Sequence, residues 1–150
     1  MADKTVEVRF DGEHADYLAL LVRGRAYRQQ RDYWDGNWLL VTATIRVGKF
    51  SGEVPGMLRA EELKNFSHRL LEFNQTLKGM ISFETAEEWL NFIIEADSHG
   101  RLEISGSLSD EVSYPYNSLK FTIATNQSSL ITPLQQIQTV TQTFPAISRP

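Results

Sequence analysis

Apolar and polar residues alternate along most of the first sixty positions. Val6, Val8 and Phe10 share one face of a segment whose other face carries Thr5, Glu7 and Arg9, the period of a half-buried strand, and Asp11-Gly12 closes it. Tyr17 to Tyr27 reads as a second strand, with Leu18, Leu20 and Val22 on one side and Leu21, Arg23, Arg25 and Tyr27 on the other. Gly24, between the two arginines, predicts a bulge or a close backbone approach. Trp38 to Val47 is the clearest strand, because a period of two over that length does not fit a helix and β-branched residues favour the pleat. Asp35-Gly36, a pair that tolerates positive φ, predicts the reversal leading into it. Phe50 to Val54 continues the sheet, and pairing is expected to stop at Pro55, which has no N–H to donate.

The period then changes. Leu63, Phe66, Leu70, Phe73 and Leu77 are spaced by three and four, so they form one helical stripe over about 59–76. Glu61 and Glu62 suit its first turn, and Gly79 suits its stop. Short strands follow at 80–84 and 88–96, then an Asp97-Ser98-His99-Gly100 turn and a strand through Leu102, Ile104, Gly106 and Leu108. Residues Ser109 to Asn117 read as a polar loop with Pro115, and Leu119, Phe121 and Ile123 as the last strand. Thr132-Pro133 predicts the start of a second helix, with Thr132 as N-cap; Leu134, Ile137, Val140 and Phe144 form its stripe. No internal repeat or linker is visible. The expected fold is α+β, mainly an antiparallel β-sheet of about eight short strands with two helices, one mid-chain and one C-terminal.

Composition narrows the picture. One domain over 1–150 is expected from the length. A formal charge of −4 argues against phosphate-backbone binding, which needs a basic stripe. The chain has no cysteine, so disulfide and thiolate chemistry are excluded. The first residues, Met1-Ala2-Asp3-Lys4-Thr5, lack the pattern of a secretory signal, and no apolar run is long enough to span a membrane. A cytoplasmic protein is expected, with no nucleic-acid and no membrane partner.

Catalytic patterns are absent. His14, His68 and His99 fall in a loop, a helix and a turn, too far apart in sequence for a metal-ligand motif. Neighbouring carboxylates such as Glu61 with Glu62, or Glu87 with Glu88, have ordinary roles at element starts, and no nucleophile elbow or phosphate loop occurs. The expectation is no cofactor and no bound metal. The pointed cluster is Arg23, Arg25, Tyr27, Arg28, Arg31, Tyr33 and Trp34, with Asp32 and Asp35 beside it. Its plain reading is a solvated strand face next to an aromatic plug, Trp34 and Trp38 sealing one end of the core. Its functional reading is an interface anchor, since Trp, Tyr and Arg dominate interface hot spots. The candidate partner-binding set is therefore Arg23, Arg25, Tyr27, Arg31, Asp32, Tyr33, Trp34 and Asp35.

Those residues also carry a likeness. Arg23-Gly24-Arg25-Ala26-Tyr27 followed by Arg31-Asp32-Tyr33-Trp34-Asp35-Gly36-Asn37-Trp38-Leu39 resembles bacterial WapI-type immunity proteins. Val41-Thr42-Ala43, Gly48-Lys49-Phe50-Ser51-Gly52 and Leu58-Arg59-Ala60-Glu61-Glu62-Leu63 extend it over roughly 18–125. The resemblance implies a non-enzymatic cytoplasmic protein that binds the C-terminal domain of a bacterial toxin and blocks its active surface. Two other readings stay open: a small-ligand or enzymatic pocket using Arg23, Arg25, Tyr27 and a carboxylate, and a structural protein self-associating through strand edges. The oligomeric state is not legible.

Overall fold

The computed structural model describes residues 4–150. The chain forms two four-stranded antiparallel sheets. The first holds β1 (Val6–Asp11), β2 (Tyr17–Arg25), β3 (Trp38–Val47) and β4 (Phe50–Arg59) in chain order, with a single helical turn, α1 (Tyr33–Gly36), between β2 and β3. Helix α2 (Ala60–Thr76) leads to the second sheet: β5 (Met80–Glu84), β6 (Leu90–Ala96), β7 (Arg101–Ser109) and β8 (Ser118–Asn126). Helix α3 (Ile131–Thr143) follows a 3-10 turn at Gln127–Leu130. The α+β class, the strands and both long helices are as expected. A four-strand meander followed by a helix occurs twice, a plan with no echo in the residues.

The alternation in each strand is the alternation of burial. Val8, Phe10, Leu18, Leu20 and Val22 are buried, as are Leu39, Val41, Ala43 and Ile45 of β3. Helix α3 runs against β1 while α2 runs against β5, and the two helices touch. A helix that closes a sheet ends in this way covers the row of unpaired backbone groups that an edge strand presents. One such group is satisfied directly: the Arg9 N–H donates to Gln136 Oε1 at 2.7 Å. At the centre, Phe10, Phe66, Phe83 and Phe92 meet with ring centroids 5.3–5.7 Å apart.

Several local expectations are corrected. Pairing does not stop at Pro55: β4 continues to Arg59, with Pro55 opposite Thr42. An edge strand needs donors on one side only, and alternate residues direct theirs outward, so proline is accommodated there. Gly36 is not at positive φ; it lies in α1, where a Cβ would come within 2.7 Å of Ile147 Cδ1 and 2.9 Å of the Gln30 carbonyl oxygen. Helix α2 stops at Leu77, itself left-handed at φ 51°, ahead of Gly79. Thr132 is not an N-cap, because α3 starts at Ile131, directly after the 3-10 turn that Asn126 caps. The bulge at Gly24 is present, as a register shift between Val22 and Gly24 with φ 141°.

The tryptophan that closes the core is Trp89, not Trp34 or Trp38. Trp89 is 2% exposed, whereas Trp34 is 54% exposed. Its ring lies on Gly56 of β4, where a Cβ would sit 2.5 Å from ring carbons, and its Nε1–H donates to the Met57 carbonyl at 2.8 Å. This side chain thus ties the turn before β6 to the first sheet. Trp89→Ala is expected to cost about 3–5 kcal/mol and Trp34→Ala less than about 1 kcal/mol, read by denaturant unfolding. Equal costs would contradict the assignment.

Glu62, in the first turn of α2, accepts the Arg59 N–H at 2.7 Å. Burial pushes its carboxyl up to about 7, against the opposing hydrogen bonds from the Arg59 and Ala86 backbone. Between about 4.5, the value of an unperturbed glutamate here, and about 7, the folded chain keeps a proton that the unfolded chain has lost. Stability from this group is therefore highest at low pH and falls as pH rises through that window. Glu62→Gln should match the native chain near pH 4 and gain roughly 1–2 kcal/mol on it by pH 8, after allowance for solvent screening. Unfolding curves of both chains across that range check this; a pH-independent difference would contradict it.

Candidate functional site

The predicted cluster surrounds α1. Asp32 caps the turn, its Oδ2 accepting from the Asp35 N–H at 3.3 Å. So short a turn has few bonds of its own, and its carbonyls need partners from outside. Arg59, at the end of β4, provides them: its guanidinium donates to the carbonyls of Trp34 at 2.8 Å and Tyr33 at 2.6 Å. It lies over the rings of Tyr33 and Trp38, 5.0 Å from each centroid, and pairs through Nε with Glu61. Arg25 donates to the carbonyls of Gly36 at 2.8 Å and Pro145 at 2.7 Å, and burial lowers its pKa from the ordinary value.

Asn37 is the hinge pin of this cap and is fully buried. Its Nδ2 donates to the carbonyls of Tyr33 and Ile147, both at 3.0 Å, and its Oδ1 accepts the Ile147 N–H at 2.8 Å. Its own carbonyl accepts the Ala60 N–H at 2.8 Å, at the start of α2. One residue thus joins α1, β3, α2 and the C-terminal segment, the first and last through its side chain and α2 through its backbone carbonyl.

The eight candidates divide into two groups. Arg25, Asp32 and the backbone of Tyr33 are engaged in holding the cap together. Arg23, Tyr27, Arg31, Trp34 and Asp35 are exposed. The Trp34 ring meets Tyr33 edge-on at 4.8 Å and lies under Arg149 at 5.2 Å, so it is exposed yet held. Arg25, Arg28 and Arg31 come together with Thr143 and Phe144 around a surface depression of about 310 Å³. Arg23 and Tyr27 do not line it, and neither does any carboxylate, so the constellation expected of an enzymatic pocket is not assembled there. Among the described residues, no group of three or more His, Asp or Glu side chains is disposed to hold a metal ion. No helix among them is long and apolar enough to cross a membrane.

Sequence reasoning missed Arg59, Arg149 and Asn37, whose roles come from contacts between distant segments. It also passed over the 110–117 loop as merely polar, although Val112, Tyr114 and Tyr116 there are exposed. Three apolar or aromatic residues in a loop were the available signal. Asn37→Ala, which strands the Ile147 N–H and the carbonyls of Tyr33 and Ile147 at once, is expected to destabilise the chain by about 2–4 kcal/mol in denaturant unfolding. A cost below about 1 kcal/mol would show that the cap does not depend on it.

No curated protein matches the chain. Among solved structures, a crystal structure of Trypanosoma bruciei MRP1/MRP2 is similar at TM-score 0.48 and 10% identity, covering 92% of this chain and 83% of that one. A guide-RNA-binding protein complex bound to a guide RNA is similar at TM-score 0.49 and 9% identity, covering 93% and 90%. Neither likeness is strong enough to bear on what this chain does. The model of the immunity protein WapI-like family matches residues 9–145, nearly the whole chain and every residue of the α1 cap up to Pro145, so the chain belongs to that family.

Proposed function

We propose that this protein neutralises the C-terminal domain of a bacterial toxin by binding it and covering its active surface, without transforming a substrate. Membership of an immunity protein family supports a protein partner. The observation that carries the reading further is the state of Trp34: 54% exposed, yet fixed by Tyr33, Arg149 and the bond from Arg59 to its carbonyl. An aromatic anchor ordered before binding loses little conformational freedom on docking, which is what makes such residues effective at interfaces. In this reading Trp34, Tyr27 and Arg31 touch the partner, Arg23 and Asp35 lie at the rim, and Arg25, Asp32 and Tyr33 support them from beneath. The protein acts in the cytoplasm of the producing cell, with no cofactor and with neither nucleic acid nor membrane as partner.

A second reading, an anionic small-ligand site, draws on the depression lined by Arg25, Arg28 and Arg31. It is the weaker one, because the Arg25 guanidinium is already donating to two backbone carbonyls.

Co-purification with a cognate bacterial toxin C-terminal domain tests the proposal. Trp34→Ala is expected to weaken that complex at least about tenfold while the thermal midpoint stays put. Failure to bind any such toxin domain would overturn the reading. Tight binding unaffected by Trp34→Ala would move the contact elsewhere on the chain.

A further inference from the structure

Exposed large apolar side chains also gather outside the α1 cap. The 110–117 loop between β7 and β8 presents Val112, Tyr114 and Tyr116, and Tyr114 is 90% exposed. Phe50, at the start of β4, is 66% exposed. The loop stands as a ridge between two depressions that share Ser118 in their walls. The first, about 230 Å³, is mostly apolar and includes Phe50, Val54 and Leu119. The second, about 330 Å³, includes Val112 and Tyr116 together with Glu84, Glu87, Glu88 and Glu111, and no lysine or arginine lines it.

The ridge is built, not loose. The Asp110 N–H donates to the Asn117 carbonyl at 2.9 Å. The Asn117 N–H and Nδ2 donate to the two Asp110 carboxylate oxygens at 2.7 and 3.1 Å. Ser109 and Ser118 hydroxyls meet at 2.6 Å beneath them. These bonds hold the Asp110 carboxyl below its ordinary pKa, so the clamp is closed at neutral pH. Core packing does not account for Tyr114, because a ring left almost wholly in water contributes little to stability. Ordered aromatics above an anionic hollow are instead suited to recognition.

We propose that this ridge and its flanking depressions form a docking face for a cationic protein surface, one that offers lysine or arginine side chains to the glutamate-lined hollow and an apolar pocket to Tyr114. The apolar ridge supplies the contact area, and the four glutamates select the sign of the partner's charge. A second copy of this chain, with its net charge of −4, is electrostatically the poorer occupant. Phe50 and Arg59 terminate opposite ends of β4, so the Phe50 side of this face lies away from the α1 cap, while Trp89, in the wall of the glutamate-lined hollow, reaches Met57 two residues before Arg59. The inference rests on the reading of the chain as a protein-binding module and assigns the partner's chemistry.

Two arms test it. In the first, the full chain and its Tyr114→Ala/Tyr116→Ala and Glu87→Lys/Glu88→Lys variants are titrated with the cognate toxin domain at low and high salt. Each variant should lose at least about tenfold in affinity with an unchanged thermal midpoint, and the charge variant should also lose most of the salt dependence. Both variants within twofold of the native chain would overturn the docking face while leaving the protein-binding reading intact. If no toxin domain binds, that reading fails, and the second arm judges the face by itself. There, deca-lysine and deca-glutamate are added to the isotopically labelled chain. Amide shifts with deca-lysine confined to 84–91 and 109–118, and none with deca-glutamate, support the proposal; shifts spread over all acidic surfaces, or none, overturn it. A dimer in light scattering that Tyr114→Ala/Tyr116→Ala abolishes would assign the ridge to a second copy and likewise overturn it.

Discussion

Four phenylalanine rings hold the two halves of this chain together. Phe10 comes from β1, Phe66 from α2, Phe83 from β5 and Phe92 from β6, and each touches at least one of the others edge-on or stacked. Aromatic pairs in these geometries add to the area they bury, and here they do so where both sheets and a helix converge. Each sheet has its first strand against a helix that follows the other sheet, so the halves complete one another across the core.

That arrangement leaves β4 and β8 at the other edges of the two sheets, away from the main helix contacts. Trp89 reaches across to β4 and is accommodated because Gly56 has no side chain, while Pro55 interrupts the edge one residue earlier. Proline at an edge discourages pairing with a stray strand. The two surfaces proposed for contact are the α1 cap beside Arg59 and the ridge, one of whose flanking depressions includes Phe50.

The two surfaces solve the same physical problem in different ways. At the cap, donors from Arg25, buried Asn37 and Arg59 satisfy the carbonyls of a turn too short to satisfy itself, and the result is a fixed Trp34 at the surface. At the ridge, a carboxylate-to-amide clamp between Asp110 and Asn117 orders a loop whose aromatic residues have no place in the core. In both, polar bonding beneath the surface lowers the entropy that an exposed ring would otherwise lose on binding. The string Asp32 to Trp38, which bears the likeness to the immunity family, is largely the support for such a surface.

Periodicity determined the main strands and the two long helices, though not α1, the 3-10 turn at Gln127–Leu130 or the full length of β4. Alternation in β1, β2 and β3 and the three-four spacing in α2 and α3 reflect burial on one face, a local consequence of backbone geometry. The bulge at Gly24 was legible from the glycine itself, set between two arginines inside a strand pattern. The division into two sheets was not, because strand alternation records which face is buried and carries nothing about which strand pairs with which. The candidate site was legible as a cluster of arginines and aromatics, yet its division into supporting and presented residues was not. Arg25 reaches Pro145, Asn37 reaches Ile147 and Arg59 reaches Tyr33. Which tryptophan is buried was likewise decided by a gap on a distant strand, at Gly56. Nearest-neighbour pattern settles a residue's secondary structure and its buried face; whether its side chain braces the fold or greets a partner depends on atoms brought close only by tertiary packing.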